Sequence, residues 1–369
     1  MNIYEMNFKV LVRCFTFNQS KYVLRTLNGF TMQQTNFPYV CCIVDDASTE
    51  GEQDVLKDYF KENFDLSENS YYGEEETDYA NICYAQHKQN KNCFFVLYLL
   101  KYNHYSIKKD KMGYLDKWYR HVLYEAMCEG DDYWFYPHKL QKQSDALDEH
   151  PECTIAFNRI NVVNADDSLV DGYTIPPKDT LHQDGLVDFE TVGNIEFCKN
   201  GRWCFQTSSM MFRSEMNTKL NELNKTVFTK FPYGDMKLLM TCLWNGRGYF
   251  INEIMGCYRQ LSGGYNSTMK KNPELRAKHA LLLSEAFLDA DAYTKGKYHK
   301  YLKCQSMKHK YVAYGLTKRF PWFMLYPKYW CFFKLTDFIR KFIKGILLTV
   351  SPTFCTRLMQ SREKKNGKI

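Results

Sequence analysis

The chain has 369 residues, 45% of them hydrophobic, 25% charged and 16% aromatic, with a formal net charge of +7. That length suits one large domain plus an appendage, and the aromatic content excludes long disordered tracts. The charge is uneven. From Thr317 to the C-terminus there are twelve Lys/Arg and two Asp/Glu, a net of +10, which leaves −3 for the rest. A near-neutral body with a basic, aromatic tail suits an anionic membrane surface, and nucleic acid is not an expected partner. The 14 cysteines are scattered, without a CxxC pair, and many lie in apolar runs such as Cys41-Cys42, Cys93 and Cys128. They read as buried, reduced thiols of a cytosolic protein. No signal peptide and no transmembrane helix is expected, since no apolar run reaches about 18 residues.

Phe8–Cys14 reads as a short apolar strand, and Lys21–Gln33 follows with helical spacing of Tyr22, Leu24, Leu27 and Phe30. Tyr39–Val44 is a second buried strand that ends in Asp45-Asp46, and Asp54–Phe64 is helical again. Strand, helix, strand, helix opens an α/β fold with a parallel sheet. Leu66–Asp78 is polar and acidic, with Glu74–Glu76 expected in a solvated loop. Phe94–Leu100 is a third strand, and Tyr114–Tyr119 is expected to be helical. Val122–Cys128 is a fourth apolar segment and runs straight into Glu129-Gly130-Asp131-Asp132. Further strands are expected at Cys153–Phe157, Thr207–Phe212 and Gly248–Ile254. Asn272–Leu316 has a helical composition, set off by Gly263-Gly264 and Pro273. In the tail, Leu335, Phe338, Ile339, Phe342 and Ile346 recur at helical spacing against a face bearing Lys334, Lys341 and Lys344. That pattern is an amphipathic helix suited to the membrane interface.

Ligands of open α/β sheets sit at the carboxyl ends of the strands. Two acidic groups fall at such ends here, Asp45-Asp46 and Glu129 to Asp132. Clustered carboxylates repel one another unless a cation or hydrogen-bond donors balance them. Read alone, each pair also suits loop solvation or helix capping.

At these residues a family resemblance enters. Cys14-Phe15-Thr16-Phe17-Asn18, Phe30-Thr31-Met32-Gln33 and Val44-Asp45-Asp46-Ala47-Ser48-Thr49 resemble segments of bacterial family-2 glycosyltransferases. Cys128-Glu129-Gly130-Asp131-Asp132-Tyr133-Trp134 with Lys139-Leu140-Gln141-Lys142-Gln143 resembles the EGDDYW block of one bacterial subgroup. The resemblance covers about Phe8–Asn266. It implies a GT-A fold with a mixed, mostly parallel central sheet and a helical C-terminal appendage. The expected organisation is a catalytic domain over 1–270, a helical appendage over 271–316 and a membrane-associating tail over 317–369.

The resemblance also implies chemistry. Thr16, Asn18, Asp45, Asp46, Asp132 and Arg259 are expected at the nucleotide-sugar donor. Glu129 and Asp131, standing where the family has its DxD motif, are expected to hold a divalent ion, Mn²⁺ or Mg²⁺. Such ions favour carboxylate oxygens. Asp235, in Tyr233-Gly234-Asp235-Met236, is the expected base of an inverting transfer, although Gly-Asp before an apolar run is also a helix cap. Thr207-Ser208-Ser209 reads as a ligand segment or as satisfied core hydroxyls. Leu261 stands where the family commonly has His. The implied reaction moves a sugar, UDP-linked by preference, to a glycan or lipid-linked acceptor in cell-surface polysaccharide synthesis. The implied location is the cytoplasmic membrane face. Alternatives are a nucleotidyltransferase, disfavoured because Phe15–Lys21 lacks glycine, and a catalytically weakened sugar-nucleotide-binding protein of the same fold.

Overall fold

A computed structural model describes residues 1–198, 204–261 and 272–317, with single positions between 336 and 347. Gly263-Gly264 and most of the basic tail lie outside the described residues. The chain folds as two compact units. The first comprises Met1–Asp188, Trp203–Lys219 and Leu238–Leu261. The second takes in the described residues of Phe189–Arg202, Leu220–Lys237 and Ser262–Ile369. The second unit is therefore not confined to the chain beyond residue 270.

The first unit is a twisted sheet with helices. In chain order it contains β1 (Val10–Thr16), α1 (Val23–Thr31), β2 (Tyr39–Asp45), α2 (Glu52–Asn63), β3 (Gly73–Glu76), β4 (Ala80–Gln86) and β5 (Cys93–Leu100). A 3₁₀ segment, Met112–His121, precedes β6 (Tyr124–Met127) and β7 (Tyr133–Trp134). Then come α3 (Lys139–Glu149), β8 (Cys153–Val163), β9 (Leu169–Ile175), β10 (Gly185–Val187), β11 (Met210–Arg213) and β12 (Arg247–Arg259). The main strand order is β10-β12-β8-β11-β6-β1-β2-β5-β4-β3, with β7 on β12 and β9 on β8. The centre, β6-β1-β2-β5, is parallel throughout, and β8, β12 and β3 share its direction. No residue of β2 or β5 is exposed, which is why their sequences are continuously apolar rather than alternating. Alternate residues serve the two faces. Val10, Val12, Tyr39, Cys41 and Ile43 pack with Leu27, Phe30 and Phe60 of the helices. Leu11, Val40, Cys42 and Val44 pack with Leu115 and Trp118.

The structure corrects one expectation and refines two. Glu74–Glu76 is not a solvated loop but most of β3, paired antiparallel with β4. Its acids are balanced on both faces: Glu75 meets Lys117 at 3.1 Å and Glu76 meets Lys101 at 2.8 Å. An edge strand with charged residues is also protected from pairing with another chain. The Thr207–Phe212 run splits into a 3₁₀ turn, Thr207–Ser209, and β11, while Tyr114–Tyr119 is 3₁₀ rather than α-helical.

In the second unit, α4 (Phe189–Val192) opens a short segment. Next come α5 (Met216–Thr226) and α6 (Gly234–Asn245), whose chains begin in one unit and end in the other. It closes with α7 (Pro273–Tyr293) and α8 (His299–Leu316), matching the expected helical stretch. Asn272 caps α7 through Leu275 N at 3.0 Å, with Pro273 in the first turn. Between α7 and α8 the Ser284 and Ser306 hydroxyls lie 3.0 Å apart, and Phe287 packs edge-on against Phe197 and Phe231.

One close approach in the first unit positions the site. A Cβ on Gly29 of α1 would lie 2.7 Å from the carbonyl oxygen and 3.0 Å from the nitrogen of Trp134. Neither atom can swing away. Gly29→Ala should therefore destabilise the protein by about 1–3 kcal/mol. Chemical denaturation of the variant checks this, and an unchanged midpoint would refute the packing.

Candidate active site

Strands β1 and β2 end level, with Thr16 opposite Asp45. Strand β6 ends earlier, with Met127 opposite Arg13, and its chain runs on beside β1 through Cys128 N to the Arg13 carbonyl at 3.0 Å and Gly130 N to the Phe15 carbonyl at 3.1 Å. The chain leaving β6 is Cys128 to Asp132, and the chain leaving β2 begins at Asp46. Both acidic segments thus flank Thr16 at the carboxyl edge of the sheet. The first pinches inward at Gly130, where a Cβ would lie 2.2 Å from Thr16 Oγ1 and 2.4 Å from Gln19 Oε1. Glycine is needed there for contact rather than for a special φ. Thr26 Oγ1 secures the same segment through the carbonyls of Gly130, at 2.9 Å, and Asp132, at 2.5 Å.

The loops after β1 and β2 hold each other. Asn18 and Ala47 adopt left-handed φ values of 54° and 60°. The Asn18 amide donates to Ser48 Oγ at 2.8 Å, and its Oδ1 accepts from Thr49 N at 2.8 Å. Asp45 is spent internally: it accepts from Ser48 N at 3.0 Å and Gln53 Nε2 at 2.6 Å, with the Ser48 hydroxyl on its other oxygen. Glu52, at the start of α2, is fully buried and accepts from Gln19 N at 2.6 Å and Ser48 Oγ at 2.9 Å, and also meets the Thr16 hydroxyl. Burial pushes the Glu52 carboxyl upward in spite of these donors. Sequence reasoning missed Glu52, since an acid in a first helical turn looks like ordinary helix chemistry.

Asp46 looks the other way. Its carboxylate accepts from His104 N at 2.7 Å, Tyr105 N at 3.1 Å and Lys111 Nζ at 2.8 Å, so it fastens the loop after β5. That loop closes a cavity of about 200 Å³. Phe15, Phe17 and Tyr105 form its aromatic walls, and Thr16, Asp46, Asn103, Lys111 and Glu129 supply polar groups. Of the loop lysines, Lys111 reaches the cavity, while Lys117 is engaged by Glu75. A larger cavity, about 550 Å³, opens between α2 and the β3–β4 hairpin on a floor of Phe60, Leu66, Ile82 and Leu99. It shares no lining residue with the strand-end cavity and none of the acidic segments.

The three acids after β6 separate by environment. Glu129 and Asp131 are partly exposed, whereas Asp132 is 1% exposed. Burial and then the nearby Glu52 raise the Asp131 carboxyl, with Arg259 and Gln19 opposing. Asp132 turns into the protein, where it accepts from Arg259 N at 2.9 Å and from the Ser208 hydroxyl. Burial, then Asp131, push Asp132 well above the ordinary carboxylate range. Arg259 also faces inward: it donates to the Asp131 carbonyl at 2.9 Å, pairs with Asp167 at 2.7 Å and lies over Tyr22 at 4.5 Å. Asp132 and Arg259, expected at the donor, are thus placed as anchors of the loop and of the β12 end. Ser208 and Ser209 are fully buried, and Ser208 Oγ is committed to Asp132. Asp235 belongs to the second unit, in the first turn of α6, where it accepts from Met236 N at 2.7 Å. Burial raises its carboxyl.

Among the described residues no group of three His, Cys, Asp or Glu could hold a metal ion on protein atoms alone. Glu129 and Asp131 are partly exposed carboxylates, the donor type that a divalent ion takes together with waters and phosphate oxygens. The eleven cysteines described as free include ten buried ones. Among the described residues no helix is long and apolar enough to cross a membrane.

No family model matches the chain. Uncharacterized proteins of Mycobacterium bovis and Mycobacterium tuberculosis are 29% identical over 151 residues, 41% of this chain and 35% of theirs. The chain thus spans about a third of the length of those curated relatives. The crystal structure of S. aureus TarS 1–349 in complex with UDP-GlcNAc superposes with a TM-score of 0.51 at 15% identity, covering 97% of this chain and 88% of that one. The mannosyltransferase PcManGT from Pyrobaculum calidifontis, in complex with GDP-Man and Mn²⁺, gives a TM-score of 0.41 at 12% identity over 96% and 90% of the two chains, too weak to carry an argument. At such identity the first likeness speaks for the fold. The fold is GT-A: a mixed α/β sheet, mostly parallel at its centre, with C-terminal helices.

The environment of Asp132 makes a pH prediction. Its folded pKa is raised, so it destabilises the fold progressively as pH rises from the ordinary carboxylate range toward the folded value. Asp132→Asn keeps an acceptor for Arg259 N and removes the charge. Its thermal midpoint should match wild type in acid and exceed it increasingly as pH rises to neutrality. A difference independent of pH would refute the buried ionisable carboxyl.

Proposed function

We propose that the chain is an inverting, nucleotide-sugar-dependent glycosyltransferase. The observation that carries this is an aromatic-walled polar cavity at the carboxyl edge of β1 and β2, lined by the partly exposed Glu129, with the partly exposed Asp131 two residues further along the same segment. Phe17 and Tyr105 offer flat apolar faces to a nucleobase. Asn103 and Lys111 offer donors, and Asp46 keeps their loop in place. The Thr16 hydroxyl, its proton turned to Glu52, offers an acceptor lone pair. In this reading Asn18 and Asp45 serve the donor indirectly, by shaping the loop. Glu129 and Asp131 would hold Mn²⁺ or Mg²⁺. When bound, that ion supplies positive charge to the leaving diphosphate. Asp235 accepts the proton of the attacking acceptor hydroxyl, a role favoured by its raised pKa.

The TarS structure that supports the fold was obtained with UDP-GlcNAc, which makes UDP-sugars the first donors to test. The acceptor we propose is a glycan or lipid-linked oligosaccharide of cell-surface polysaccharide synthesis, met at the cytoplasmic face by the basic tail. A second reading, a weakened sugar-nucleotide-binding protein, is favoured by Leu261 in the usual His position and by the inward-facing Arg259.

A thermal-shift screen of UDP- and GDP-sugars with Mn²⁺ tests donor binding, since a ligand at 100 times its Kd stabilises by about 2.7 kcal/mol. Asp131→Ala should remove the metal-dependent part of that shift and abolish donor turnover; full turnover in the variant, or in EDTA, refutes the metal assignment. Asp235→Asn should leave donor binding intact and lower kcat by roughly 10²–10⁴-fold. Wild-type turnover in that variant would leave Asp235 as a helix-end residue only. Donor binding without any turnover in the native chain would favour the second reading.

A further inference from the structure

The Lys139–Gln143 stretch contains a group that the proposed chemistry does not use. Lys139 begins α3 and is completely buried. A buried ammonium is costly unless it is paired, yet among the described residues no carboxylate lies within ion-pair distance of it. Its Nζ donates to Gln143 Oε1 at 2.6 Å and sits 4.1 Å from the centre of the Trp134 ring. Burial lowers the ammonium to about 7.

The two partners of Lys139 lead to the acidic loop. Trp134 lies directly after the Glu129–Asp132 segment, and its indole Nε1 donates to the Ser208 carbonyl at 2.7 Å. Ser208 in turn gives its hydroxyl to Asp132. Gln143 donates to the neighbouring Ser209 carbonyl at 2.7 Å and to Asn158 Oδ1 at 3.1 Å. The ammonium therefore grips the Thr207–Ser209 turn by two routes, and that turn grips Asp132. From the other side, α1 closes on Trp134 with Phe30 at 5.0 Å between ring centres and with Gly29 against its backbone. The cation–π contact and the indole hydrogen bond thus add to what α1 supplies.

We propose that Lys139 is a positioning residue: through Trp134 and the Ser208–Asp132 hydrogen bond it holds the segment that presents Glu129 and Asp131. Its functional purpose rests on the glycosyltransferase reading, since groups that orient metal ligands commonly change metal affinity without touching the ion. Removing the ammonium leaves both exposed carboxylates chemically intact but lets their loop wander. A purely structural lysine would behave differently: its replacement by an apolar chain of similar length relieves desolvation and gives up the Gln143 bond, but leaves the Glu129–Asp132 segment as tightly held as before.

Lys139→Met in the full chain is the test, with hydrogen exchange of the Cys128–Trp134 amides as the deciding readout. The expected result is a thermal midpoint at or above wild type together with exchange several-fold faster in that segment and unchanged in β2 and β5. Mn²⁺ affinity, titrated in the presence of UDP, should weaken by roughly tenfold. Trp134→Phe, which keeps a ring over the ammonium but lacks the indole N–H, should loosen the same amides. Wild-type exchange of those amides in both variants overturns the proposal, as does a loosening spread evenly over the whole sheet. A wild-type chain that binds Mn²⁺ with neither UDP nor GDP sinks the functional reading instead, and the exchange result still decides whether Lys139 positions the loop.

Discussion

Burying carboxylates at the end of a sheet is the constraint on which this structure turns. Asp45, Asp46, Glu52 and Asp132 are all nearly inaccessible, and Glu129 and Asp131 stand beside them. Their mutual repulsion and desolvation oppose folding. The chain answers with donors rather than with many cations. Backbone amides of Ser48, His104, Tyr105, Gln19 and Arg259 point at these oxygens, and one lysine, Lys111, pairs with Asp46. The donors come from the loops after β1, β2 and β5 and from the end of β12, so satisfying the acids ties those segments together.

That economy divides the acids by role. Asp45, Asp46 and Asp132 have their acceptor capacity filled from within, so they shape the edge. Glu129 and Asp131 remain partly exposed and face the space above it. The division explains how four consecutive residues can anchor a loop and still leave two of its carboxylates partly exposed. Gly130 makes it possible, since only a residue without Cβ lets the segment press against Thr16 and Gln19. Asp131 then stays partly exposed while Asp132 turns in, at the close of a turn in which Asp132 N donates to the Glu129 carbonyl at 3.1 Å.

The helices behind the edge follow the same logic. Gln33, at the end of α1, donates to the Gly29 and Tyr136 carbonyls at 3.0 Å each and accepts from Leu140 N at 3.1 Å, so it ties α1 to the first turn of α3. Trp134 is trapped between those helices. Residues recognised in the sequence as parts of motifs, Gln33, Trp134 and Gln143 among them, prove to be fasteners of the acidic loop. Packing around the acidic loop accounts for these motif residues.

By itself the sequence determined the alternation of apolar strands and helices, the burial of β2 and β5, and the placing of two acidic groups at strand ends. Those follow from local chemistry: continuous apolar runs must be covered on both faces, and the acids that end them must leave the core. The helical stretch from Asn272 was legible from its composition and from the break at Pro273. Strand β3 was not, because three consecutive glutamates look like a solvated loop until Lys101 and Lys117 are brought beside them. Nor could the sequence say which acid faces inward. Only tertiary structure decided that Asp132 meets Ser208, 76 residues away, and Arg259, 127 residues away. Such pairings depend on strand order, and strand order is set by the burial of whole faces, which no local window of sequence contains.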